Sequence, residues 1–155
     1  MSALPSLNDV SGLFAMLFGE RTVCKTCATR LPDEQTAVVA TYRDSTGQVR
    51  RVLACDLGFA NSAGASLSMI PPGAADEAIK KGEVPDNILA NLHEVLNIAV
   101  NLFTVSFGGR LELGDVLRTT NADASLKALI KSGGSMGLEV SIPRYSSGRV
   151  SLISL

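Results

Sequence analysis

The strongest constraint on this chain is that it resembles itself. Displaced by 85 residues, LNDVSGLFAMLF (7–18) falls on LHEVLNIAVNLF (92–103). Leu7/Leu92, Val10/Val95, Leu17/Leu102 and Phe18/Phe103 are then identical, and Asp9/Glu94 and Leu13/Ile98 are similar. Displaced by 101, Arg43, Ser45, Gly47 and Val49 fall on Arg144, Ser146, Gly148 and Val150, and Val52 falls on Ile153. Both matches run in the same order of helix, strand and two-stranded hairpin. The displacements differ by 16 residues, which places an insertion in the second half at about 119–136. Such a chain is expected to fold as one domain over 1–155, built from half-repeats at about 7–84 and 85–155 around a pseudo-two-fold axis. Short hairpin turns make its sheet mainly antiparallel, with helices covering part of it, an α+β arrangement.

The periodicity supplies the elements. Val10, Leu13, Phe14, Leu17 and Phe18 line one face of a helix over about 9–19, capped by Asn8 or Asp9 and stopped by Gly19. Strands are expected at 21–29, with Val23 and Cys27 on one side, and at 36–43 and 49–55, the last two joined by the DSTGQ turn. Asp56 caps a small-residue helix, LGFANSAGASLSMI, and Pro71-Pro72-Gly73 ends it. The short helix AADEAIKK stops at Gly82, and Pro85-Asp86 opens the longest helix, about 86–104. A strand at 110–118, a helix at 123–131, a flexible KSGGSMG connection (131–137) and strands at 138–143 and 149–155 complete the chain.

Charge and composition exclude several functions. Fourteen Lys and Arg against fifteen Asp and Glu give a net charge of −1, too weak a field to hold a nucleic-acid backbone or an anionic membrane. The longest uncharged stretch, Leu57–Ala75, carries Asn61, serines, glycines and prolines and does not read as a membrane span. Apolar residues at 46% exclude disorder. A mean hydropathy of +0.24 points to apolar surface covered by a second copy, a homodimer through a sheet edge or helix face. Three cysteines, no signal-peptide pattern and no complete disulfide framework fit a cytoplasmic setting.

The chemistry rests on the polar side of the long helix. Ala90, Glu94, Asn97 and Asn101 follow at steps of four, three and four and stand in one row opposite the apolar stripe. Glu94 and Asn97 are neighbours one turn apart. A carboxylate there can hold a partner's lysine, and an amide can orient a water toward phosphorus, a reaction that needs mostly placement. An E-x-x-N on a helix face is equally the pattern of an ordinary solvated surface.

The doubled helix–strand–hairpin plan, with Glu94-Val95-Leu96-Asn97 inside ILANLHEVLNIAVNLF after IPPGAADEAIKKGEV, resembles the CheC/CheX/FliY family of chemotaxis phosphatases. The resemblance implies pseudo-two-fold halves and, as substrate, the aspartyl phosphate of a CheY-like response regulator. It implies that Asn97 orients the attacking water and Glu94 pairs with a regulator lysine. No cofactor of its own is implied, since magnesium belongs to the regulator. Ala90 stands where the family often has Asp or Ser, Asn101-Leu102 where it commonly has Gly-Asn, and Thr120 where a proline is expected. Asp9 and Gly12 occupy the matching positions of the first half, and Gly12 has no amide, so one site per chain is expected. These departures leave open a non-catalytic regulator-binding or dimerisation module on the same fold.

Other constellations read more simply. Cys24-Lys25-Thr26-Cys27 lies in a strand with its thiols on opposite faces, and Cys55 and His93 would have to converge on it to complete a zinc site. His93 points about 100° around the helix from Glu94, and no G-x-S-x-G elbow accompanies it. KSGGSMG lacks the P-loop spacing.

Overall fold

The computed structural model describes residues 4–122 and 124–155. Its first helix, α1 (Leu7–Phe18), starts two residues before the expected 9. Ser6 is the cap, in place of Asn8 or Asp9. Its hydroxyl accepts from the Asp9 N–H at 3.1 Å, and the Asp9 carboxylate accepts from the Ser6 N–H at 3.3 Å. That reciprocal pair is a capping box. Next come β1 (Val23–Cys27), β2 (Thr36–Arg43), β3 (Val49–Asp56), α2 (Leu57–Leu67) and α3 (Pro72–Lys81). The second half gives α4 (Asp86–Ile98), α5 (Val100–Phe107), β4 (Glu112–Arg118), α6 (Ala124–Ser132), β5 (Gly134–Ser141) and β6 (Gly148–Ser154).

Two expectations are corrected, and a third falls partly outside the described residues. The long helix is two pieces, interrupted at Ala99, where the Leu102 N–H reaches back only three residues to the Ala99 carbonyl at 3.0 Å. Val95, Ile98 and Val100 crowd that turn with β-branched side chains, which lowers helix propensity there. KSGGSMG is not a free connection, because β5 begins at Gly134 and Gly137 pairs with both Cys27 and Ser151. A Cβ at Gly137 would stand 2.6 Å from the Thr29 carbonyl, so a glycine lets the 28–32 segment cross the strand. The helix expected from 123 is seen from Ala124, and Asp123 lies outside the described residues.

The sheet order is β1-β5-β6-β3-β2-β4, and all five pairings are antiparallel. The order is the repeat made visible. β2 and β3 of the first half match β5 and β6 of the second, and β3 meets β6 at the centre. Each half lends its first strand to the other, since β1 pairs with β5 and β4 pairs with β2. Val52 and Ile153, matched by the displacement of 101, are directly paired in the sheet and mark the axis.

Helices α1, α2, α4 and α5 cover one face. Val10, Phe14, Phe59, Leu92, Leu96 and Phe103 pack there on Val38, Tyr42, Leu53, Leu138, Val150 and Leu152. On the other face Val39, Val52, Ala54 and Ile153 meet Ile130 of α6, so the inserted segment supplies a second layer. Burial on both faces explains the unbroken buried runs in β2 and β3. The run Asp86–Phe107 is 22 residues and holds an 18-residue window with a mean hydropathy of 1.4, which meets a membrane span in length and composition. Here its apolar stripe is the core's own, and its opposite side carries the polar row.

Candidate functional site

Four contacts fix α4 in place. Pro85 precedes its first turn, and the Arg118 guanidinium on β4 binds the Asp86 carboxylate at 2.7 Å and the Val84 carbonyl at 2.8 Å. On α2, Gly64 lets Ile88 come so close that a Cβ would lie 2.4 Å from the Ile88 carbonyl oxygen. Beside it the Asn91 amide donates to the Gly64 carbonyl at 3.0 Å. From the sheet, the fully buried Tyr42 donates its hydroxyl to the Leu96 carbonyl at 2.7 Å, with its ring 4.9 Å from that of Phe103.

Leu96 directly precedes Asn97, and its carbonyl is the one a continuous helix offers to residue 100. Tyr42 thus holds the turn that carries Asn97, next to the interruption at Ala99. Burial pushes the Tyr42 phenol well above its ordinary value, so it stays a proton donor throughout the physiological range. Tyr42→Phe keeps the ring and removes the donor. Its expected cost is about 1 kcal/mol in urea unfolding.

Glu94 and Asn97 are both exposed, as are Ala90 and Asn101, so the whole row faces outward. Among the described residues neither Glu94 nor Asn97 makes a side-chain hydrogen bond or ion pair. One carboxylate and one amide therefore stand a turn apart with their bonding capacity unspent. His93 is exposed too, and turns instead into a shallow groove with Leu89, Ala90 and Val116. A larger concavity, about 1010 Å³, lies elsewhere, among Asp56, Glu83, Asp86 and Arg118.

The first-half equivalents are differently occupied. The Asp9 carboxylate is spent on the capping box, and Gly12 is an exposed glycine with nothing near it. Leu102 is buried at 7% exposure, so the position that carries a polar residue in the family's common pattern points into this core. Thr120 is exposed in the short 3-10 turn after β4.

Cys24 faces inward opposite Val140, and burial raises its thiol above the usual range, while Cys27 lies on the other face opposite Gly137. Among the described residues no three of His, Cys, Asp or Glu gather into a metal-binding group. Asp56 caps α2, accepting from the Phe59 N–H at 2.8 Å. Sequence reasoning missed Tyr42 and Asn91. In a strand a tyrosine looks like any core residue, and nothing local tells which carbonyl its hydroxyl will meet.

No sequence-family model and no curated protein sequence matches the chain. Solved structures do. The crystal structure of the CheX–CheY–BeF3–Mg complex from Borrelia burgdorferi matches over 95% of this chain and 93% of that one, at 14% identity and a TM-score of 0.57. FliY of Thermotoga maritima matches over 94% and 82%, at 10% identity and a TM-score of 0.59. The chain has the fold of the CheC/CheX/FliY family. FliM in the FliM–SpeE complex of H. pylori aligns as well, over 95% and 80%, at 9% identity and a TM-score of 0.66. On the CheC/CheX/FliY fold adopted here, the second-half helix carries the polar row and the first-half helix does not.

Proposed function

We propose that this chain hydrolyses the aspartyl phosphate of a CheY-like response regulator in chemotaxis signalling. The observation that carries the proposal is the exposed, unpartnered pair of Glu94 and Asn97 on one turn of α4. Glu94 pairs with a lysine of the docked regulator. The Asn97 amide holds a water in line with the phosphorus by accepting a hydrogen bond from it at Oδ1, which leaves a lone pair toward the phosphoryl group; the water oxygen bonds to phosphorus as the bond to the regulator's aspartyl oxygen breaks, and the water's proton leaves with the inorganic phosphate. Magnesium stays with the regulator, and the setting is cytoplasmic.

The test is phosphate release from a phosphorylated regulator of this type with and without the chain. Glu94→Lys is expected to raise the regulator concentration needed for half-maximal rate about tenfold, since an opposed charge pair is replaced by a like one. Unchanged regulator affinity in that variant contradicts the role given to Glu94.

A second reading, a non-catalytic regulator-binding or dimerisation module, is favoured by the exposed Ala90, which puts a methyl group at the head of the polar row. The FliM–SpeE complex also records this fold holding another protein. Regulator binding that ignores phosphorylation, with no acceleration of phosphate release, selects that reading. The apolar composition further supports a homodimer. The outer strand β1, where Val23 is 47% exposed, is the edge we assign to it. Light scattering is expected to give twice the chain mass, and a monomer contradicts it.

A further inference from the structure

The face of the sheet opposite α4 holds a second feature that the α4 site does not use. Between α6, the 30–36 segment and strands β2, β3 and β6 lies a cavity of about 250 Å³. Leu31, Val39, Ala54, Ile130 and Ile153 give it apolar walls. An apolar cavity of roughly 150 Å³ takes up benzene, so this one has room for a substituted ring.

Ser151, 1% exposed, lines the cavity and accepts the Leu31 N–H at 2.7 Å. Its own hydroxyl proton meets no acceptor among the described residues. The other two hydroxyls in the wall are spent, Thr36 on the Pro32 carbonyl and Thr119 on the Thr36 carbonyl. A buried donor left unused is costly, and it marks where an acceptor atom fits.

Charged groups of both signs stand in the wall, and Arg30 and Asp33 are already spoken for. Asp33 is held between Arg30 at 3.4 Å and Lys131 at 3.5 Å. Arg30 also donates to the Ile130 carbonyl at 2.6 Å, tying the 28–35 segment to the end of α6. Glu34 lines both this cavity and the large acidic groove. Lys127 lines the mouth with no ion-pair partner among the described residues.

We propose that this cavity binds a small apolar carboxylic acid, its ring or hydrocarbon body against Val39, Ala54 and Ile153 and its carboxylate at Lys127 and the Ser151 hydroxyl. Nothing in this inference uses Glu94 or Asn97, so it stands or falls apart from the phosphatase reading.

Benzoate titrated into the full chain is the test, followed by methyl NMR of Val39, Ile130 and Ile153. Saturable shifts confined to these methyls are expected, with a Kd of about 1 mM. Benzamide, the neutral isostere, and benzoate with Lys127→Gln should each bind about tenfold more weakly, because the charge-assisted contact is lost. Ala54→Ile fills the cavity and should abolish binding while the circular dichroism spectrum is kept. No saturable shift with benzoate up to about 10 mM overturns the proposal. So do equal affinities for benzoate and benzamide, or undiminished binding to Ala54→Ile.

Discussion

Asn97→Ala is expected to bring regulator dephosphorylation down to the regulator's own rate, a loss of about 100-fold if the chain's contribution is mainly the placement of one water. The side chain removed makes no hydrogen bond or ion pair among the described residues and sits on the solvent side of α4. Stability should therefore stay within about 0.5 kcal/mol of wild type. Regulator affinity should also be kept, because the grip is assigned to Glu94. A fall in rate with folding and binding intact separates the amide's role from a general disturbance of the helix. Asn97→Asp is informative beside it. It keeps the size and the acceptor but adds a charge facing the phosphoryl group, so it should recover little activity.

Gly64→Ala is expected to lower stability by about 2–3 kcal/mol, although alanine is the better helix former by about 1 kcal/mol. The new methyl would lie 2.4 Å from the Ile88 carbonyl oxygen and 2.6 Å from the Ile88 side chain. The first neighbour is helix backbone, which cannot rotate away, so α4 as a whole must move off α2. Overlap therefore outweighs propensity. Gly12→Ala is the control with the opposite sign. It makes the same substitution inside α1, with nothing within 4 Å, and should stabilise by about 0.5–1 kcal/mol. Urea unfolding of both chains reads the difference directly. Because α4 carries Glu94 and Asn97, Gly64→Ala should also slow dephosphorylation, whereas Gly12→Ala should leave it unchanged.

The plan of the fold was legible because its signals are local and repeated. Val10/Val95 and Phe18/Phe103 fall on core-facing helix positions in both halves, and each hairpin carries its own turn residues. The outward row of Glu94 and Asn97 followed from the same 3.6-residue period, since the apolar stripe fixes which side is left for water. What the sequence hid is long-range. No periodicity reveals that β1 crosses to pair with β5 or that β4 crosses to β2, because strand exchange depends on residues 69 or more positions apart. The anchor of the Asn97 turn was hidden for the same reason, as Leu96 is fixed by a tyrosine 54 residues away. The glycines of KSGGSMG read as flexibility when taken alone. Gly133 and Gly137 serve close approach, to the Ser154 and Thr29 carbonyls, and neither neighbour is visible in the local sequence.

Phosphate release from a large excess of phosphorylated CheY-like regulator, with the wild-type chain present in substoichiometric amount, asks whether the α4 pair turns over. The proposed function requires a rate that rises in proportion to the chain and continues for many cycles per chain. Release no faster than the regulator achieves alone, at chain concentrations where the two proteins demonstrably bind, leaves Glu94 and Asn97 as docking contacts and contradicts hydrolysis.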